Sequence, residues 1–288
     1  MTIVRDLSEL EPADRAVAIG TFDGVHRGHQ AVVEEALATG LRSSVLTFDP
    51  HPRIVFGYDV HLLAPLERRL ELLEDLGPDD VLVVEFTPEL SQWTPEEFVE
   101  RVLRPIGTRV VVAGEDFRFG RGRAGDLALL ERLGIVTRPV PLVEGVSSTA
   151  IRDALRLGDI PAAAQLLGRP PELEGPVVHG DQRGGILGFP TANLAVPADL
   201  MVPSYGIYVG EALGHRAAVS IGVNPHYRGD ERRIEAFLLD FEGDLYGSRL
   251  RLALWRRLRD ERAFANEEEL VAQIARDAEA ARQAEPPL

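Results

Sequence analysis

The sequence predicts a two-domain chain: an α/β domain built on a mostly parallel sheet, then a small antiparallel β-barrel with a terminal helix. Three observations lead there. Short apolar runs at residues 17–19, 45–48, 81–86, 110–113 and 135–143 alternate with segments of helical periodicity, the pattern of a parallel sheet covered on both faces. The pattern then changes: after GRPP at 168–171 the chain turns to strand-like runs, with Gly and Pro marking the break. Finally, 288 residues suggest two domains at about 150 residues each. The boundary is set at 168/169, giving an α/β domain over 1–168 and a barrel domain over 169–288.

Each element has its own signal. Val32, Val33, Ala36 and Leu37 share one helical face. Leu66, Leu70 and Leu73 mark a second helix, Phe98, Val102 and Leu103 a third, and residues 126–133 a short fourth. Sheets of this kind bind ligands at the carboxyl ends of their strands, where the strand order switches. Residues 147–155 and 160–167 read as helices. Strands follow at 206–213, 217–222, 234–241 and 250–258. Ile234, Ala236, Leu238 and Asp240 alternate with Glu235, Phe237 and Leu239, a mixed pattern that suits a barrel strand with both faces partly buried. Arg249 and Arg251 alternate more cleanly with Leu250, Leu252 and Leu254. Residues 266–283 form the last helix: Asn266 caps it, Glu269 stands at the capping-box position, and Leu270, Ile274 and Ala278 share a face. The tail at 285–288 frays.

Composition narrows the chemistry. All 31 basic residues are arginine, and there is no lysine and no cysteine. Schiff-base lysines, Walker-A loops, thiol catalysis, disulfides and cysteine zinc sites are therefore excluded. Phosphate chemistry would have to run on arginine, histidine, backbone N–H groups and added metal ions. A net charge of −15 argues against nucleic acid as a partner, though a local basic patch can still attract a small anion. No apolar run approaches the ~18 residues of a membrane span, and the first residues, MTIVRDLSELEP, hold no apolar signal region. A cytoplasmic protein with no membrane partner is expected; self-association stays open.

The segment GTFDGVHRGH at 20–29 follows a strand and opens a helix. Gly20, Gly24 and Gly28 let the backbone approach a ligand, and a helix start offers N–H groups and a positive dipole end to an anion. His26 and His29, three apart, can turn both rings to one side. Taken alone, an HxxH pair reads more readily as a tight turn with two surface histidines, and a metal site ranks lower still for want of a third ligand. Ser148 and Thr149 alone would read as an ordinary helix cap. Arg118, Arg121 and Arg123 make a basic loop that reads equally as a steering patch for phosphates or as a solvated face.

The segment at 20–29 resembles the G-x-F-D-G-x-H-x-G-H signature of nucleotidyltransferases, in the form found in prokaryotic bifunctional riboflavin kinase/FAD synthetases. LTFDPHP at 46–52, GEDFRFG at 114–120 and SSTAIR at 147–152 resemble further segments of that family in the same order. The resemblance implies a Rossmann-like nucleotidyltransferase domain that adenylylates FMN with ATP to give FAD and pyrophosphate. His26, His29, Gly20, Phe22, Gly24 and Gly28 would hold the phosphates, and Ser148, Thr149 and Arg152 would close on the pyrophosphate. Phe48, Pro50 and Phe56, with Asp116 and Phe117 beside them, would contact the flavin.

In the second half, GPVVHGDQRG at 175–184 and LGFPTAN at 187–193 resemble the riboflavin kinase module of the same family, as do residues 240–247 and 258–261. The resemblance implies a riboflavin kinase-like barrel that makes FMN from riboflavin and ATP. Thr191 and Asn193 would coordinate Mg²⁺-ATP, Gly175, Gly180 and Gly184 would form a flap, Glu235 would act as general base, and Arg259 would contact flavin. Three positions depart from the family: Gly185 replaces an arginine, His226 falls where Thr-Phe is usual, and Pro171 replaces an aromatic. Two alternatives therefore stand beside the two-step enzyme. One is an FMN adenylyltransferase with a degenerate flavin-binding C-terminal domain; the other is a non-catalytic flavin or nucleotide sensor.

Overall fold

The computed structural model describes residues 1–180, 188–223 and 232–288. The chain divides into two units, Met1–Ser148 and Thr149–Leu288. In the first, β1 (Thr2–Val4), β2 (Arg15–Ile19), β3 (Arg42–Asp49), β4 (Asp80–Glu85), β5 (Thr108–Gly114) and β6 (Val136–Val140) lie in the order β1-β4-β3-β2-β5-β6. Every pairing is parallel. The order reverses between β2 and β5, so the binding crevice belongs at their carboxyl ends. The five strands read from apolar runs are all present; β1 is the addition, too short at three residues to leave a pattern.

Side chains alternate between the two faces. Ala16, Ala18, Val45 and Val81 pack with Val33 and Leu73, which lie on α1 (Arg27–Leu37) and α3 (Leu66–Glu74). Val17, Ile19, Leu46 and Val111 pack on the other face with Phe98, Val102 and Leu103. That third helix is α4 (Pro95–Phe98), opened by a Thr94/Glu97 capping box, and it continues as a wide turn over Val99–Leu103. The Arg104 N–H reaches back five residues to the Val99 carbonyl at 2.9 Å. Val99 is buried there together with Phe98, Val102 and Leu103. Two short helices, α2 (Pro52–Val55) and α5 (Leu127–Arg132), complete the set.

The helix α6 (Ser148–Leu157) begins at the division between the units, and α7 (Ile160–Leu167) follows. Gly168 ends α7 at φ 78°, the left-handed stop that glycine tolerates. Beyond it, β7 (Glu172–Val178), β8 (Ala192–Leu194), β9 (Gly206–Ala212), β10 (His215–Val223), β11 (Arg232–Leu238) and β12 (Arg249–Arg259) form a closed barrel in the order β10-β11-β8-β7-β12-β9. Neighbours are antiparallel. In β11, Ile234, Ala236 and Leu238 point inward and are buried, while Glu235 and Phe237 are half-buried outside. The last helix, α8 (Glu267–Arg282), is capped by the Asn266 side chain on the Glu269 N–H at 2.9 Å. The Glu269 carboxylate reaches the Ala265 N–H at 3.3 Å, one residue before the position a standard capping box uses. Ala281 and Ala284 dock on Val209, Ala218 and Trp255.

Candidate active sites

The segment at 20–29 leaves β2 and turns into α1. Two residues in it other than glycine have positive φ: Phe22 at 50° and Val25 at 41°. A β-branched valine rarely adopts that region, and such strain persists where surrounding structure over-determines it. Here Phe22 is buried, and Gln30 donates from Nε2 to the Val25 carbonyl at 2.9 Å. His26 occupies the cap of α1, its Nδ1 accepting from the His29 N–H at 3.3 Å. An accepting Nδ1 leaves the ring proton on Nε2 as a donor. The His26 and His29 rings stack at 3.6 Å and 13°, so the pair does turn to one side, with Phe22 against His29 at 5.2 Å. A Cβ on Gly28 would stand 3.3 Å from the His26 ring; glycine lets that ring lie close to the helix.

Asp23 ties this turn to its neighbours. Its carboxylate accepts from the Leu63 N–H at 2.8 Å, and its carbonyl accepts from the Ser148 hydroxyl at 3.1 Å. Ser148, at the start of α6, is thereby joined to the signature turn. Thr149 follows it, and Arg152, one turn further along α6, is buried.

The aromatic residues beyond β3 form a group. Phe48 meets Phe86 edge-on at 5.6 Å, and Phe56 meets Phe86 at 5.8 Å. Phe56 is 56% exposed, so its ring offers a face to a planar ligand. Phe86, which ends the apolar run at 81–86 and had no site role from the sequence, directly follows β4, its N–H bonded to the Asp49 carbonyl at 3.1 Å. Pro50 is exposed and follows a cis peptide bond. Phe117 stacks on Phe119 at 5.5 Å and packs, like Phe48, against the core on that side of the sheet, while Asp116 is exposed. Arg118, Arg121 and Arg123 are all exposed.

In the barrel, register brings the predicted residues together. Asn193 on β8 pairs directly with Glu235 on β11 and with Val178 on β7. Directly opposed residues share a face, so the amide and the carboxylate stand side by side outside the barrel, with Thr191 just before β8. Gly180 is required by contact: a Cβ there would lie 2.5 Å from the Asn193 Nδ2. Gly175 is buried within β7, where a Cβ would meet the Ala195 carbonyl at 2.4 Å; it serves strand packing. Pro171 is buried, its carbonyl accepting from the Leu254 N–H at 2.8 Å. Gly184, Gly185 and His226 lie outside the described residues.

Arg259 ends β12 with its guanidinium held by Asp277 of α8: Nη2 to Oδ2 at 2.6 Å and Nε to Oδ1 at 3.1 Å. Asp277 is buried and gave no sequence signal, because its partner is distant in the chain. Among the described residues no group of three or more His, Cys, Asp or Glu is arranged to hold a metal ion. Among them too, no helix is long and apolar enough to cross a membrane.

A parallel sheet with paired histidines at a helix start, followed by a closed barrel with Asn193 beside Glu235, defines a two-module protein built to handle nucleotide phosphates. Residues 8–149 match the FAD synthetase family model and residues 167–285 the riboflavin kinase model. The Listeria monocytogenes bifunctional riboflavin kinase/FMN adenylyltransferase is 38% identical, over 92% of this chain and 90% of that protein. Its Escherichia coli counterpart is 36% identical over 98% and 97%. A Streptococcus pneumoniae crystal structure, described as a macrolide-efflux protein, superposes with a TM-score of 0.88 at 29% identity, covering 98% of this chain and 99% of that one. The chain belongs to the bifunctional riboflavin kinase/FMN adenylyltransferase family.

Proposed function

We propose that the chain phosphorylates riboflavin to FMN and then adenylylates FMN to FAD. Residues 169–288 carry the first reaction and residues 1–168 the second. The observation that carries this reading is the presence of two separately built sites on one chain: stacked His26 and His29 at a helix start, and Glu235 opposite Asn193 in the barrel.

In the kinase step Glu235 takes the proton of the riboflavin 5′-hydroxyl as its oxygen attacks the γ-phosphorus of ATP, and ADP leaves. Arg259, anchored by Asp277, contacts the flavin, and Gly180 lies over the nucleotide. Thr191 and Asn193 offer neutral, hard oxygen donors, which suit Mg²⁺ when ATP phosphates supply the charge. Bound there, the ion would neutralise those phosphates.

In the adenylyl step an FMN phosphate oxygen attacks the α-phosphorus of ATP, and the bond to the β-phosphate breaks to release pyrophosphate. No covalent enzyme intermediate is needed, so alignment and charge stabilisation dominate. His26 and His29 donate to the phosphates where Gly20, Phe22, Gly24 and Gly28 shape the turn. Ser148, Thr149 and Arg152 hold the departing pyrophosphate, with arginine as its planar, bidentate donor. Phe48, Pro50 and Phe56 flank the isoalloxazine ring, with Asp116 and Phe117 near it. The ATP supply both steps require assigns the enzyme to the cytoplasm.

The test is to incubate the purified protein with riboflavin, Mg²⁺ and ATP and follow FMN and FAD by chromatography. Both products are expected in sequence. FAD from added FMN, without FMN from riboflavin, would restrict the enzyme to adenylyl transfer; flavin binding without either product would overturn catalysis altogether.

A further inference from the structure

Arg69 lies on α3, away from every motif so far assigned a role, and its side chain is 4% exposed. Its Nη1 donates to the Thr21 carbonyl at 2.7 Å and its Nη2 to the Phe48 carbonyl at 3.2 Å. The Asp49 carboxylate stands 3.6 Å from the same Nη2. Thr21 belongs to the turn that leads to His26, and Phe48 to the segment proposed to flank flavin. These two segments leave β2 and β3, which are neighbours in the sheet. The Thr21 carbonyl also accepts from the Thr47 hydroxyl at 3.1 Å, so two side chains converge on one backbone oxygen.

A guanidinium is rigid and planar, and its donors have a fixed spread. One that grips a carbonyl from each of two loops fixes the distance between them. Burial disfavours the charge and pulls the Arg69 pKa below its ordinary value, against the pull of Asp23, Asp49 and Glu67, so the cation is held in the interior by the groups it connects.

We infer that Arg69 is a positioning residue for adenylyl transfer: it sets the spacing between the phosphate-binding turn and the flavin-binding segment, and so the approach of the FMN phosphate to the α-phosphorus of ATP. The inference rests on the adenylyltransferase reading above. A misalignment of about 1 Å between reactants can cost on the order of a hundredfold in rate while each is still bound. The signature is therefore a fall in kcat with little change in KM.

The experiment compares wild type, Arg69→Met and Arg69→Lys in FAD formation from FMN, normalised to the folded fraction, with FMN formation from riboflavin as internal control. The expected result for Arg69→Met is a kcat for FAD lowered about thirtyfold or more, KM for FMN and ATP within threefold, and unchanged kinase turnover. Lysine, a single point donor, reaches one carbonyl at a time and should restore kcat only in part. Should Arg69→Met fail to fold, Arg69→Lys decides alone: a kcat five- to twentyfold below wild type supports the inference. A kcat per folded molecule at wild-type level in either variant, or a parallel loss of both activities, overturns it. If wild type itself makes no FAD from FMN, the underlying reading fails instead.

Discussion

The two units build their sites by opposite routes. In the first, the groups come from loops and helix starts at the carboxyl ends of parallel strands; His26 and His29 are three residues apart, and their geometry is set by one strained turn. In the second, Asn193 and Glu235 come from different strands and meet only because the barrel closes in that register. A loop site can be changed without disturbing the sheet beneath it. A register site is part of the scaffold, and any slip by one residue would turn its side chains to the other face.

The largest test of that difference is to inactivate each site separately. Glu235→Gln keeps the shape of the side chain and removes the proposed base; FMN formation should fall about 10²–10⁴-fold. FAD formation from added FMN should stay at the wild-type level. His29→Ala should lower FAD formation about 10²–10³-fold and spare FMN formation. Chromatography of both products from each variant reads all four outcomes. Persistent FMN formation by Glu235→Gln would remove Glu235 from the role of base.

The same contrast explains what the sequence disclosed. The loop site is legible because its residues are contiguous: GTFDGVHRGH carries its own spacing. The strands β2 to β5 are legible because buried parallel strands carry apolar runs, whereas β6, at the sheet edge, is only partly buried. The barrel site was legible only through resemblance, since nothing local to Glu235 announces that Asn193 lies opposite. Arg69, Phe86 and Asp277 were missed for one physical reason: each acts on a partner from another element, and local periodicity holds no such information. β8 and β1, at three residues each, are too short to show a period. The wide turn after Phe98 left no mark in the sequence, because the spacing of Phe98, Val99, Val102 and Leu103 suits one face of a regular helix equally well.

At the amino end of the parallel sheet, Asp80 accepts from Arg42 at 2.7 and 2.8 Å and from Arg15 at 3.4 Å. The Arg15 and Asp80 side chains are 1% and 2% exposed. Removing one partner of a buried pair leaves the other charge unmatched, so Asp80→Asn should destabilise the first unit by about 3 kcal/mol. Each unit holds one tryptophan, Trp93 or Trp255. Denaturation followed by fluorescence in a Trp255→Phe background therefore reports the first unit alone. An unshifted midpoint there would show that the arginines find other partners.

Gly180→Ala is a smaller and more local change. The added methyl would lie 2.5 Å from the Asn193 amide, so that side chain must move relative to Glu235. FMN formation should drop about tenfold, with FAD formation from FMN unaffected. A variant with wild-type kinase turnover would mean that Asn193 does not need its present rotamer.

The smallest effect is expected where charge is most exposed. Asp240 pairs with Arg282 of α8 at 2.6 Å, and that hydrogen bond holds its carboxyl below the ordinary 3.8. Asp80 is also held below 3.8: burial pushes it up, but the hydrogen bonds and charge of Arg42, with help from Arg15, outweigh that. A carboxyl with a lowered folded pKa stabilises the fold above its unfolded value and loses that contribution as pH falls through the folded one. Both pairs therefore weaken in the same direction on acidification. They differ in solvent: water and salt screen the surface pair, and such pairs contribute little. Asp240→Asn should leave the midpoint reported by Trp255 unchanged at neutral pH. Lowering the pH below 3.8 should shift the Trp93 transition of wild type markedly, and Asp80→Asn should flatten that acid dependence. Equal acid slopes in Asp80→Asn and wild type would place the acid-labile group elsewhere in the first unit.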